Sequence, residues 1–331
     1  MWAPDGSATV TPFLPGESLV RRLGGTEREA VSGFGPVDVI HDNGIWLPHN
    51  HRLAKLAAAK GLPRVVSTRG MLEPWALNHK RWKKRLAWWL YQQRDLRSTA
   101  LLHATASREA GHLGNLSIGR AIMMVPNGVD LHSIAPLRVA ESGVRTALFV
   151  GRIYPVKGLP LLVEAWAKVR PAGWKMKIVG PDEAGHLAEV ERLIRQAGME
   201  ADFEIAGPLS GSALEQAYQN ADLCILPSYT ENFGMVVGEA LAQGLPVITT
   251  QGTPWELLET ERCGWWVPVS VDGIAAALED ATRKTSEELI AMGERGRAVV
   301  AERFAWDRIA RQFVECYEWV LGKGEKPGCV R

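Results

Sequence analysis

A chain of 331 residues exceeds the size at which a single hydrophobic core stops growing, so two domains are expected. Its composition, 46% hydrophobic and 23% charged, is that of an ordinary soluble globular protein, and no apolar run is long enough to cross a bilayer. The net charge of +1 hides an asymmetry: residues 1–140 carry 18 Lys/Arg against 10 Asp/Glu, whereas residues 141–331 carry 20 against 27. Within Arg52 to Arg97, 12 basic residues face only Glu73 and Asp95, a bias that calls for an anionic partner. Cys224, Cys263, Cys316 and Cys329 form no C-x-x-C pair and meet no histidine at metal-ligand spacing, so reduced structural thiols are expected rather than zinc or a disulfide framework. The first residues lack the basic start and apolar core of a secretory signal, which points to the cytoplasm.

Residues 1–36 contain prolines and glycines but no run that reads as a buried strand. The stretch LGGTERE has the composition of a phosphate-binding turn, yet no apolar strand precedes it to aim it, so a surface turn is the plainer reading. From Val37 the pattern becomes strand and helix in alternation: VDVIH, HNHRLAKLAAAK, RVVST, a long helical stretch, ALLHAT and AIMMVP. A polar, turn-rich linker, NGVDLHSIAPLRVAESGVR, follows. The alternation then restarts with TALFVG, LPLLVEAWAKV, KMKIVG, LAEVERLIRQAG, DFEIAG, ALEQAYQN, DLCILP, MVVGEALAQG and PVITT, which predicts a second parallel sheet. In open parallel sheets ligands lie beyond the carboxyl ends of the strands, so the loops that directly follow strands are the places to look for chemistry.

In FVGRIYPVKGLPLLVEAW a strand ends at Gly151, and Arg152 and Lys157 follow before a helix. A glycine admits close approach of a phosphate, the helix start adds partial positive charge, and two cations can hold different oxygens of one diphosphate. In PSYTENFGMVVGEALAQGLPVITT, Glu231 and Glu239 stand eight residues apart, and Asn232, Phe233 and Gly234 open the helix that carries Glu239. Eight residues is a little over two helical turns, so both carboxylates can face one side and accept hydrogen bonds from the hydroxyls of a ribose and a sugar. The N–H groups of Phe233 and Gly234 can meet further oxygens.

With VPNGVD, IVGP and GPLS, these motifs resemble family 4 of the GT-B glycosyltransferases over roughly residues 36–320. The resemblance implies an α/β GT-B fold, two Rossmann-like domains whose parallel sheets face each other across a cleft. It implies that Arg152 and Lys157 bind the donor diphosphate, that Glu239 contacts the ribose, and that Glu231, Asn232, Phe233 and Gly234 contact the transferred sugar. Gly180 and Leu209 would flank the base, and Thr253 and Pro254 could also reach the donor. Arg152, Lys157 and Glu231 are the residues expected at the reacting centre, with negative charge on the departing diphosphate met by the two cations. Substitution with retained configuration is implied. No D-x-D pair is present to carry a divalent metal and no cofactor is expected, the nucleotide diphosphate sugar being a substrate.

The segments DVIHDNGIWLPHNH, STRGMLEPWALNHKRWKKRLAWWLY and LLHATASREA resemble the bacterial exopolysaccharide and O-antigen members of the same family. On that likeness residues 1–140 form the acceptor-side domain, 141–304 the donor domain, and 305–331 a C-terminal helix crossing back to the first. His41, Asn43, Arg69 and His103 each follow or end a predicted strand and are the acceptor-side candidates. Some relatives carry a histidine where this chain has Arg69, and the family's opening strand and glycine-rich loop are not seen, so the chain reads as short at its start.

From Lys80 to Arg94, Trp82, Leu86, Trp89 and Leu90 recur at i, i+4, i+7 and i+8 among Lys80, Lys83, Lys84 and Arg85. This spacing predicts a basic amphipathic helix, which either docks on an anionic membrane, as suits a lipid-linked acceptor, or packs its aromatic stripe on the first sheet. A nucleic-acid partner is disfavoured, because the basic patch is confined to one segment and no nucleic-acid motif accompanies it. A sugar-nucleotide epimerase and a sugar-nucleotide-binding subunit without turnover stand as alternatives to the transferase.

Overall fold

The computed structural model describes residues 37–78, 81–131 and 143–331. The LGGTERE turn, the expected short start, Lys80 and positions 132–142 of the expected linker lie outside the described residues. The chain divides into two compact units, the first gathering residues up to His103 with 117–121 and 317–325, the second gathering 104–116, 122–316 and 326–331. Residues 104–116 and 122–131, expected in the first domain, are thus grouped with the second unit, where Val129 is part of the buried core.

In chain order the first series comprises β1 (Ile40–Asn43), α1 (Pro48–Lys60), β2 (Arg64–Ser67), α2 (Pro74–Asn78), α3 (Arg81–Ala87), a π turn (Trp88–Gln92), α4 (Gln93–Arg97), β3 (Leu101–Ala104), α5 (Ser107–Asn115) and β4 (Ile122–Met124). The sheet order is β1-β2-β3-β4. β2 and β3 are buried along their whole length, as strands of a parallel sheet covered on both faces are, and Arg64, Ser67 and His103 are buried with their apolar neighbours. Parallel register sets Asn43 beside Ser67 and Ser67 beside His103. α1 begins on Pro48, whose missing N–H costs nothing in the first turn, and stops at left-handed Gly61, whose N–H closes on the carbonyls of Ala57 and Ala58.

The second series runs β5 (Arg145–Val150), α6 (Leu159–Val169), β6 (Trp174–Val179), α7 (Leu187–Gln196), β7 (Phe203–Gly207), α8 (Ser212–Gln219), β8 (Leu223–Leu226), α9 (Met235–Ala242), β9 (Val247–Thr250), α10 (Leu257–Thr260), β10 (Gly264–Val267), α11 (Val271–Arg283), α12 (Ser286–Arg303) and α13 (Trp306–Val320). Its six strands take the order β10-β9-β8-β5-β6-β7, with every pairing parallel. Phe149, Trp166 and Trp255 are wholly buried in the core around this sheet. α12 opens on a reciprocal capping box between Thr285 and Glu288, which satisfies two of the orphan N–H groups at its start. The strand order reverses between β5 and β8, and a ligand crevice is expected outside the carboxyl ends of those two strands.

The basic amphipathic segment is helical throughout residues 81–97, with a π turn inside it. A π turn separates α3 from α4, and Gln92, Asp95 and Leu96 supply the buried face. Trp82, Leu86, Trp89 and Leu90 are 68%, 55%, 89% and 69% exposed, which overturns the alternative that this stripe packs on the sheet. Trp88, between them, approaches Trp46 at 6.3 Å between ring centroids.

Candidate functional site

The carboxyl ends of β5 and β8, where the strand order reverses, carry the two loops the sequence singles out. After β5 the chain passes Gly151 and Arg152 to Lys157; after β8 it passes Ser228 to Glu231. The two meet in an ion pair, Lys157 Nζ to Glu231 Oε1 at 2.5 Å, with side chains 13% and 15% exposed. Ser228 Oγ donates to the same carboxylate oxygen at 2.7 Å, which holds the carboxylate from a second side. A pair so placed is partly desolvated yet reachable by a ligand. Arg152 lies close by in sequence but is bound to Glu183 at 2.7 Å on the surface. Exposed pairs of that kind contribute ~0–1 kcal/mol, so the guanidinium is free to exchange its partner for a phosphate.

Two glycines make this crowding possible. A Cβ on Gly180, at the end of β6, would stand 1.8 Å from the carbonyl oxygen of Gly151. A Cβ on Gly252 would stand 2.4 Å and 2.6 Å from the carbonyl oxygens of Tyr229 and Ser228, so only glycine lets the loop after β9 lie against the loop after β8. The Glu231 N–H donates to the Gly252 carbonyl at 2.9 Å across that approach.

Phe233 and Gly234 lead into α9. The Phe233 ring is buried against Trp255 and Phe304, and its carbonyl accepts from Trp255 Nε1 at 2.6 Å, so its backbone rather than its ring is available to a ligand. Asn232 donates through Nδ2 to Thr105 Oγ1 at 2.9 Å, while its buried Oδ1 has no hydrogen-bond partner. Leu209 is partly buried against the core, and the Gly180 N–H donates to Gly207 at 2.8 Å.

Glu239 engages a different partner from Glu231. Its Oε2 accepts from Tyr218 OH at 3.0 Å, and the two line a pocket of about 240 Å³ with Asp130, Gly211, Leu214 and Met235. Burial, reinforced by Cys224 and Glu239, pushes the Tyr218 phenol well above its ordinary value, so it stays protonated and remains a donor. Burial likewise pushes the Cys224 thiol up to about 12, which keeps it an uncharged neighbour.

In the first unit the structure joins two of the acceptor-side candidates through residues the sequence does not flag. Tyr317 OH lies 2.5 Å from His41 Nδ1, His41 Nε2 lies 2.7 Å from Ser67 Oγ, and Ser67 Oγ lies 2.6 Å from His103 Nδ1. Burial lowers the His41 pKa to about 3, with His103 and Arg69 adding to the shift, so this imidazole is neutral in the folded protein at neutral pH. The other two candidates meet each other: Arg69, in a left-handed conformation with φ 50°, donates to Asn43 Oδ1 at 2.9 Å. Ser67, Tyr317, Tyr218, Ser228, Glu183 and Arg108 are the participants missed from the sequence. Ser67, within the predicted strand RVVST, and Ser228, directly after the predicted strand DLCILP, carry a local signal.

Two α/β units, each built on a parallel sheet, are the architecture of the GT-B fold. Residues 138–299 match the family described as Glycosyl transferases group 1, and residues 3–128 match the Glycosyl transferase 4-like domain, so that the two matches together take in most of the chain. The chain belongs to the group 1 glycosyltransferases. It is 32% identical over 244 residues to a D-inositol 3-phosphate glycosyltransferase of Segniliparus rotundus, covering 67% of this chain and 52% of that one. It is 26% identical over 302 residues to the GDP-mannose:cellobiosyl-diphosphopolyprenol alpha-mannosyltransferase of Xanthomonas campestris, covering 89% and 77%. The chain spans about half the length of the first curated relatives it matches, 44% to 52%. Among solved structures its fold is similar to sucrose-phosphate synthase from Thermosynechococcus elongatus, at TM-score 0.75 and 22% identity over 94% of this chain and 81% of that one. It is also similar to HepE of Anabaena in complex with UDP and glucose, at TM-score 0.71 and 19% identity over 88% and 81%.

Proposed function

We propose that the protein is a retaining glycosyltransferase that moves a sugar from a nucleotide diphosphate sugar to a saccharide or lipid-linked acceptor in surface polysaccharide synthesis. The observation that carries the reading is the Lys157–Glu231 pair, fixed by Ser228 at the switch point of the second sheet. On donor binding Lys157 turns to the diphosphate, joined by Arg152, and Glu231 is released to accept hydrogen bonds from the sugar hydroxyls. As the bond from the anomeric carbon to the diphosphate breaks, the acceptor hydroxyl oxygen bonds to that carbon on the same face and its proton passes to the departing phosphate oxygen, whose growing negative charge the two cations stabilise. This assigns the leaving-group charge to side chains rather than to a metal. Glu239, oriented by Tyr218, presents its other oxygen to the ribose. Their pocket, about 240 Å³, falls below the ~300–1,000 Å³ of a complete small-molecule site, which suits one moiety of a donor.

His41, Asn43, Arg69 and His103 are assigned to the acceptor side. The name of the Xanthomonas relative specifies a diphosphopolyprenol-linked acceptor, and a lipid-linked acceptor is met at a membrane. Among the described residues no helix is long and apolar enough to cross a bilayer. The exposed Trp82, Leu86, Trp89 and Leu90, with Arg81, Lys83, Arg85 and Arg94 exposed around them, form the face assigned to an anionic membrane surface at the cytoplasmic side.

The reading is tested by a thermal-shift panel of UDP-, GDP- and ADP-sugars, then by product analysis with any stabilising donor. The expected result is one donor class that stabilises the protein and a product of retained anomeric configuration. Binding without transfer would favour an accessory subunit, and an epimerised nucleotide sugar would favour an epimerase; either would overturn the proposal.

A further inference from the structure

The turn that carries Glu231 is held from outside its own neighbourhood. Arg108, in the first turn of α5, donates through Nη2 to the Gly252 carbonyl at 2.7 Å, the Glu231 carbonyl at 3.0 Å and Thr230 Oγ1 at 3.1 Å. Its Nη1 reaches the Gln251 carbonyl at 3.4 Å. One guanidinium therefore bridges the loop after β8 and the loop after β9, the same two loops that Gly252 allows to touch.

A second tether lies just before the helix, where Thr105 Oγ1 accepts from Asn232 Nδ2 at 2.9 Å. Thr105 is itself anchored, because its N–H and its hydroxyl both donate to Glu109 Oε2, at 2.8 Å and 3.1 Å. The start of α5 is thus a rigid support rather than a loose arm. The planar fork of an arginine can serve several acceptors on two loops at once, which an ammonium cannot. Every hydrogen bond named for Arg108 goes to these two loops, and none goes to the Glu231 carboxylate, which remains with Lys157 and Ser228.

We infer that Arg108 is a positioning residue: by gripping the backbone of residues 230–231 and 251–252 it holds the Glu231 carboxylate at Lys157, in the register that transfer requires. The inference rests on the donor-site reading above. A displacement of ~1 Å at a reacting group costs on the order of 100-fold in rate, so a backbone clamp of this kind bears on turnover more than on affinity.

The test compares wild type with Arg108→Ala, Arg108→Lys and Thr105→Val. Amide hydrogen exchange is measured over residues 228–234 with UDP or GDP bound, and kcat and KM are measured with the donor that wild type turns over. In Arg108→Ala the Glu231 amide, which bonds to Gly252, is expected to exchange at least tenfold faster. Its kcat is expected to fall at least tenfold while the donor KM changes less than threefold. Arg108→Lys recovers part of both effects, and Thr105→Val shows a smaller form of each. Unchanged exchange at 228–234, a uniform rise in exchange across the second unit, or a loss confined to KM would overturn the inference. A wild type without transfer would defeat the functional reading alone, since the exchange measurement still decides whether Arg108 holds the turn.

Discussion

Two ion pairs in this protein share a chemistry and differ in solvent access. Asp42 and Arg64 meet at 3.0 Å with both side chains 3% exposed, next to Asn50, which donates to Asp42 at 2.6 Å, and to the Asp95 carbonyl, which takes a second Arg64 nitrogen at 2.5 Å. Lys157 and Glu231 meet at the carboxyl ends of strands, more open and bounded by a crevice. Burial raises the Asp42 pKa and lowers that of Arg64, each toward its neutral form, so desolvation outweighs mutual attraction in the first pair. Such a pair fixes geometry and adds little net stability. The second pair stores two opposite charges where a ligand can replace either partner. Depth below the surface is what separates scaffold from site.

The sharpest way to break this comparison is to remove one partner from each pair. Asp42→Ala strands a buried guanidinium and is expected to destabilise the protein by about 3–5 kcal/mol, read by urea unfolding. Glu231→Gln is expected to lower transfer by roughly 100-fold or more and, because Lys157 keeps more access to solvent than Arg64, to cost less stability than Asp42→Ala. A large stability loss from Glu231→Gln would erase the distinction. Glu239→Ala removes a charged acceptor and should weaken nucleoside diphosphate binding by about 1.5–3 kcal/mol, with little change for the sugar portion. Calorimetry with UDP and GDP against their sugars separates those two contributions.

On the outer face, Lys83→Glu should reduce co-sedimentation with phosphatidylserine vesicles by about 1 kcal/mol or slightly more, and Trp89→Ala should do so even in high salt. No loss in either variant would leave the face without an assigned surface. A further expectation concerns pH. His41 has a folded pKa of about 3, below its ordinary 6.5, so the unfolded chain binds the extra proton and stability falls as pH drops below about 6.5. His41→Gln should flatten that part of the curve, as followed by melting temperature between pH 7 and 5.

Much of this molecule is legible in its sequence for identifiable reasons. A parallel strand such as LCIL is buried on both faces and reads as a short unbroken apolar run. The residues of the crevice sit in the loops directly after such strands, so Arg152, Lys157 and Glu231 stand out locally. Their partners do not. Lys157 and Glu231 are 74 residues apart, Arg108 and Glu231 are 123 apart, and Tyr317 and His41 are 276 apart, distances across which spacing says nothing. Glu231 and Glu239, eight residues apart, share a helix start but bind different partners, because neighbouring strands and α8 supply those partners. The segment from Arg81 to Arg97 shows the limit of periodicity. The 3.6-residue pattern marks an apolar stripe without saying what covers it, and the WWLYQ π turn has no local signature.

The central claim is that the donor diphosphate binds at the β5–β8 switch point through Lys157. The most direct measurement is calorimetric titration of UDP and GDP into wild type, Lys157→Ala and His41→Gln. The account predicts that one nucleotide binds wild type, that Lys157→Ala weakens it at least tenfold, and that His41→Gln leaves it unchanged. Binding that survives Lys157→Ala at full strength would contradict the account.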